Sequence, residues 1–276
     1  TAGTTTFAMS GKDTQATFPE FHFRANATTN RLRLADGTYK ILGNWYSTGG
    51  NQLDMLKSGI IEVDICDGAD VTVVGKTLLH AVGGSYGTTN PALRNPYRFR
   101  VADSKLTTSN TYEATWSLDG LTYVTNATWN APVPTGTAIS FANPDTDWCY
   151  TTTQRLVAVD SKFLVGKEHN AGNFAVGKLY SSGSTTYGAI YATNCTFDVR
   201  SWFMLRWGEG ILKDCTWTGN DTDNYSITVE NRATLTLDGG TMQAAEGTRF
   251  LNCDADLCKT FCRRQSTRTP ASRMNG

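Results

Sequence analysis

Apolar and polar positions along this chain recur as one six-residue unit: apolar, any residue, Asn/Asp/Gly, small, Thr/Lys, large apolar. Five copies run from residue 124 to residue 242. They are Val124-Thr125-Asn126-Ala127-Thr128-Trp129, Ala158-Val159-Asp160-Ser161-Lys162-Phe163, Ala192-Thr193-Asn194-Cys195-Thr196-Phe197, Leu212-Lys213-Asp214-Cys215-Thr216-Trp217 and Leu237-Asp238-Gly239-Gly240-Thr241-Met242. Two more stand upstream, Leu34 to Tyr39 and Val101 to Leu106. In each copy a turn former separates two short alternating segments, the pattern of one strand bending into the next. Repetition over a few tens of residues predicts stacked units, here the coils of an all-β solenoid.

The turn residues Asp103, Asn126, Asp160, Asn194, Asp214 and Gly239 follow one another at 23, 34, 34, 20 and 25 residues. A coil of three short strands needs roughly twenty residues, so the longer spacings predict loop insertions on one side of the stack. Pro144 to Thr153 and Lys167 to Tyr187 are the expected insertions. Period-2 alternation turns Val124, Ala158, Ala192, Leu212 and Leu237 inward as one column, and Trp129, Phe163, Phe197, Trp217 and Met242 as another. The position after the turn residue is always small (Ala127, Ser161, Cys195, Cys215, Gly240) and is expected inside. Thr128, Lys162, Thr196, Thr216 and Thr241 are expected to form an outward polar ladder. The Asn and Asp side chains at the bend are expected to bond backbone in the next coil.

The first third is less regular. Residues 1–30 show no period and are expected as an irregular N-terminal arm or cap. Residues 31–255 are expected to hold the solenoid, with Ser58 to Val73 giving two strands around an Asp-Gly turn. The basic stretch 256–276 is expected to be a frayed tail. The chain opens at Thr1 without an initiator Met, the expectation for a processed or trimmed chain.

Composition changes the picture in one respect. Charged residues make up 18% of the chain, and 25 Lys+Arg balance 25 Asp+Glu, so no broad field is expected to steer nucleic acid or acidic membranes. No apolar run is long enough to span a bilayer. The seven cysteines are an odd number. Cys195 and Cys215 are expected as buried free thiols in the small slot. Cys253, Cys258 and Cys262 have no His nearby and no paired knuckle spacing, so neither a metal nor a cofactor is expected.

The run LRLADGTYKI, followed by spaced NCTF and DCTW copies, resembles the right-handed parallel β-helix of the pectate-lyase-like superfamily. It is most similar to bacteriophage tail spikes and related virion proteins, over roughly residues 30–255. The resemblance implies an extracellular virion protein: a spike, a fibre segment or a capsid-attached protein. It also implies a homotrimer, attached to other virion proteins through the N-terminal arm and touching a host surface polysaccharide. The chain matches neither the calcium motif nor the arginine catalytic motif of the lyases. A polysaccharide depolymerase on the same helix and a secreted bacterial adhesin are the alternative readings.

Three groups of residues could carry chemistry. Glu62 and Asp64 alternate with apolar residues on one strand, which puts both carboxyl groups outward about 7 Å apart. That separation suits an inverting glycosidase, and solvated surface acids explain the pair equally well. Trp202, Trp207 and Arg206 could stack on and bond a sugar, with core packing as the other reading. Asp145 and Asp147 beside Trp148 form an acid pair next to an aromatic ring, or a simple turn.

Overall fold

A computed structural model of the chain describes residues 3–8, 20–25, 30–42, 44–49, 61–74, 80–82, 97–109, 116–117, 121–132, 137–141, 154–166, 173–176, 178–179, 185–186, 188–199, 203–206, 208–219, 227–230, 233–243, 251–253 and 259–263. All secondary structure among these residues is β-strand. Two nine-stranded parallel sheets run the length of the stack. Strands that lead into the bend form the inbound sheet, in the order Asn30–Ala35, Ile61–Cys66, Tyr97–Ala102, Leu121–Thr125, Gln154–Val159, Gly188–Thr193, Gly208–Lys213, Thr234–Asp238 and Lys259–Arg263. Strands that leave it form the outbound sheet: Thr4–Ala8, Thr38–Leu42, Asp70–Val74, Lys105–Ser109, Thr128–Ala131, Lys162–Val165, Thr196–Val199, Thr216–Gly219 and Thr241–Gln243.

A third side is made by two further parallel sheets. One holds Glu20–Ala25, Asn44–Gly49 and His80–Val82. The other holds Trp116–Ser117, Thr137–Phe141, Asn173–Val176, Phe203–Arg206, Ile227–Glu230 and Leu251–Cys253. The chain visits inbound, outbound and third-side strands in that order through eight successive cycles. The one antiparallel pair among the described residues, Lys178–Leu179 with Thr185–Thr186, lies inside the expected insertion Lys167 to Tyr187. Pro144 to Thr153 falls outside the described residues.

The stack takes in residues expected outside it. Thr4–Ala8 pairs in parallel with Thr38–Leu42, Glu20–Ala25 pairs with Asn44–Gly49, and Lys259–Arg263 pairs with Thr234–Asp238. Each is a strand of five or six residues, too short to display a period by itself.

The bends explain the turn residues. Asp36, Asp67, Asp103, Asn126, Asp160, Asn194 and Asp214 all have φ between 47° and 54°. Asn and Asp tolerate this left-handed region where other side chains are strained, and Gly239 serves in the last bend at φ 74°. The turned peptide keeps the ladder unbroken. Asn126 N–H donates to the Val159 carbonyl of the next coil, and Lys162 N–H donates back to the Ala127 carbonyl. The side chains do something other than expected. Asn126 Nδ2 donates to Asp103 Oδ1 and Asn194 Nδ2 to Asp160 Oδ1, so from Asp103 to Asp214 the column alternates amide and carboxylate rather than bonding backbone. Over that run alternation separates carboxylates that would otherwise stand on successive coils about 4.8 Å apart, as Asp36, Asp67 and Asp103 do.

Register confirms the inward columns. Val124, Ala158, Ala192, Leu212 and Leu237 align strand by strand and are buried. On the outbound sheet Trp129, Phe163, Phe197 and Trp217 align and are fully buried, while Met242 at the end of the stack is half-buried. Phe163 and Phe197 stack with ring centroids 5.0 Å apart, and Phe197 and Trp217 at 5.1 Å. Lys162, Thr216 and Thr241 are exposed and Thr128 and Thr196 half-buried, in one outward row.

The small slot is inward at Ala127, Ser161, Cys195 and Cys215. Ser161 Oγ donates to the Val159 carbonyl at 2.7 Å, and the Cys195 and Cys215 thiols donate to Thr193 and Lys213 in the same way, both at 3.3 Å. All three satisfy a carbonyl just before the bend. Gly240 corrects the expectation, because it is exposed at φ 81°. A Cβ there would lie 2.1 Å from the Cys215 carbonyl oxygen, so backbone approach and not an inward pocket demands glycine.

Candidate functional site

Glu62 and Asp64 stand side by side on the outer face of the inbound strand Ile61–Cys66, with Val63 and Ile65 buried between and beyond them. Parallel register sets the neighbours. Arg31 and Arg33 lie opposite Glu62 and Asp64 on the preceding strand, and Arg98 and Arg100 on the following one. Tyr123 lies opposite Arg100 on the strand after that. Phe99 and Thr122 alternate with them and are buried, so period 2 dictates which residues reach the surface.

The charges interlock. Glu62 accepts from Arg31 Nε on one side and from Arg98 Nη1 at 3.1 Å on the other. Asp64 pairs with Arg100 Nη1 at 3.2 Å. Arg33 binds Asp67 and gives its Nε to Cys66 Sγ at 3.2 Å. That bond, with the neighbouring Asp67 charge, raises the Arg33 pKa above its ordinary value. Burial pushes the Cys66 thiol up, against the opposing pull of Arg33.

Four guanidinium groups therefore meet three carboxylates, Glu62, Asp64 and Asp67, and Glu62 is shared by two arginines. A groove of about 420 Å³ is lined by the four arginines, Glu62, Asp64 and Tyr123. At 38% exposure Tyr123 is the one large hydrophobic residue open to solvent among those described. Further along the same face Tyr191 donates to Glu209 at 2.7 Å, a hydrogen bond that raises the phenol's pKa.

The two acids are thus placed on one outward face, and each is engaged by arginine. Arg206 ends the third-side strand Phe203–Arg206, in register with Glu230, on a different sheet from Glu62 and Asp64. Trp202, Trp207, Asp145, Asp147 and Trp148 lie outside the described residues. The residues that sequence reasoning missed are Arg31, Arg33, Arg98, Arg100 and Tyr123. The signal of the arginines is present in the triplets RLR and RFR, which with EVD are charged–apolar–charged segments that become one patch once stacked.

Among the described residues no group of three or more His, Cys, Asp or Glu converges at metal-binding distance, and no helix is long and apolar enough to cross a membrane. Comparison with known proteins finds no matching family model, no similar curated protein and no similar solved structure.

Proposed function

We propose that the chain is a right-handed parallel β-helix that serves as a structural and binding protein of a bacteriophage virion. In this reading it assembles as a homotrimer, attaches to other virion proteins through its N-terminal residues and contacts a host surface polysaccharide. The cycle of inbound, outbound and third-side strands supports the β-helix. The virion setting and the trimer rest on the resemblance of the LRLADGTYKI, NCTF and DCTW segments.

One observation carries the binding role: an open groove lined by arginine, carboxylate and tyrosine on a rigid sheet face. Sugars are bound by planar polar groups and an aromatic surface held in fixed positions. Turnover is not proposed, because both carboxylates are tied to arginines in the groove. The test measures binding to capsule and lipopolysaccharide extracts, with reducing-end release followed in the same samples. Binding without release is expected. Robust release abolished by Glu62→Gln/Asp64→Asn would replace this reading with a depolymerase. Solution mass tests the trimer, and a monomer would overturn that part.

A further inference from the structure

We infer that the groove over Arg31, Arg98, Arg100, Glu62, Asp64 and Tyr123 is selective for an acidic polysaccharide, bound through its sugar carboxylates. This rests on the glycan-binding reading above and names its ligand class.

Arg98 and Arg100 each give one Nη1 to a carboxylate on the preceding strand, and both side chains remain 54% exposed. A guanidinium has five N–H donors in a planar fork. Each group has donors beyond the one so used, and both side chains line the groove together with Tyr123. The bland alternative is a row of ion pairs that ties coils together. Such exposed pairs contribute little to stability, and the backbone ladder already joins these strands. The groove lining carries four guanidinium groups and two carboxylates, a surplus of positive charge that a carboxylate from outside would offset.

The pattern also says what carries that carboxylate. Rows of arginine alternate with a row of acids, so Arg31 and Arg98 lie two strand spacings apart, about 9.6 Å. A continuous phosphate backbone would run over Glu62 and Asp64 and be repelled. An acidic polysaccharide with about one carboxylate per disaccharide places its charges farther apart. Its carboxylates accept bidentate bonds from arginine, and its intervening hydroxyls donate to Glu62 and Asp64. A ring face then packs on Tyr123.

The test uses the full chain immobilised on a biosensor, with hyaluronan and unsulfated chondroitin each beside its carboxyl-reduced form, and with dextran sulfate and duplex DNA. Expected is binding of at least one acidic glycan, with the carboxyl-reduced form weaker by about tenfold or more, and loss of affinity as salt rises. Arg98→Ala/Arg100→Ala should weaken binding about tenfold or more, and Tyr123→Ala several-fold, as expected for central arginine and tyrosine contacts. Arg98→Lys/Arg100→Lys keeps the charge without the fork and should fall between. Lys162→Ala, on the outbound sheet, should leave binding unchanged. Equal binding of the carboxyl-reduced glycans, untouched by the arginine changes, would overturn the acidic assignment and leave glycan binding standing. Tighter binding of dextran sulfate or DNA than of either carboxylate glycan would overturn it in favour of sulfate or nucleic acid. Binding of no polysaccharide at all would overturn both readings.

Discussion

The Asn126 side-chain amide donates to the Asp103 carboxylate one coil away, 2.9 Å from Nδ2 to Oδ1. Both residues hold left-handed backbone, and Asp160 takes the same position on the next coil. Asn126→Asp would keep the tolerated backbone but set a third carboxylate between Asp103 and Asp160. The expected loss is about 1 kcal/mol, the worth of one net hydrogen bond, plus repulsion that salt relieves. Urea denaturation at low and high salt checks it. A loss unchanged by salt would mean that the column is not electrostatically coupled.

Phe163 lies between Trp129, at 6.4 Å, and Phe197, at 5.0 Å with ring planes 5° apart. Phe163→Ala should open a cavity in the middle of the stack and cost about 3–5 kcal/mol. Phe163→Leu should cost less, because more of the volume is kept. Chemical denaturation of the two variants gives the comparison, and an equal cost for both would point to lost ring stacking rather than lost volume.

Cys215 is fully buried and unbridged, in the slot that Ala127 fills elsewhere. The neighbouring Cys195 thiol, followed by burial, pushes its thiol up and out of the ordinary cysteine range. Cys215→Ala should be mild, whereas Cys215→Leu should cost about 1–3 kcal/mol through overpacking. Thiol labelling of the folded protein should be slow at both Cys195 and Cys215. Rapid modification at native conditions would contradict their inward placement.

Cys66 supplies a pH dependence. Burial raises its pKa in the folded protein, so above the ordinary thiol range the unfolded chain carries fewer protons than the native one. The stabilisation is fully present below about pH 8.5 and is lost as pH rises through the folded value. Cys66→Ala should flatten this alkaline decline. Alanine already stands opposite it at Ala35, so the change fits the column. Melting profiles from pH 7 to 10 test it, and identical alkaline slopes for wild type and variant would refute the assignment.

Much of the stack is legible in the sequence because its rules are local. A left-handed bend selects Asn, Asp or Gly, and period 2 fixes which neighbours turn inward. Val124 through Leu237 and Trp129 through Trp217 follow from these two facts. Gly240 departs from the inward expectation because smallness has two causes, an inward pocket or backbone contact, and only the position of the Cys215 carbonyl distinguishes them. The strands at Thr4–Ala8 and Lys259–Arg263 are too short to announce themselves; it is the neighbouring edge that recruits them.

The sequence by itself determined that this chain bends repeatedly, buries an aromatic column and shows polar rows outside. Each of those properties is set within six consecutive residues. The tertiary structure alone decided what Glu62 and Asp64 face. Their partners Arg31, Arg98 and Arg100 stand 31 to 36 residues away, and the loops between determine which strand becomes the neighbour. A parallel stack turns such distant residues into contacts one strand spacing apart. That is why the acid pair was visible in the sequence and the arginine groove around it was not.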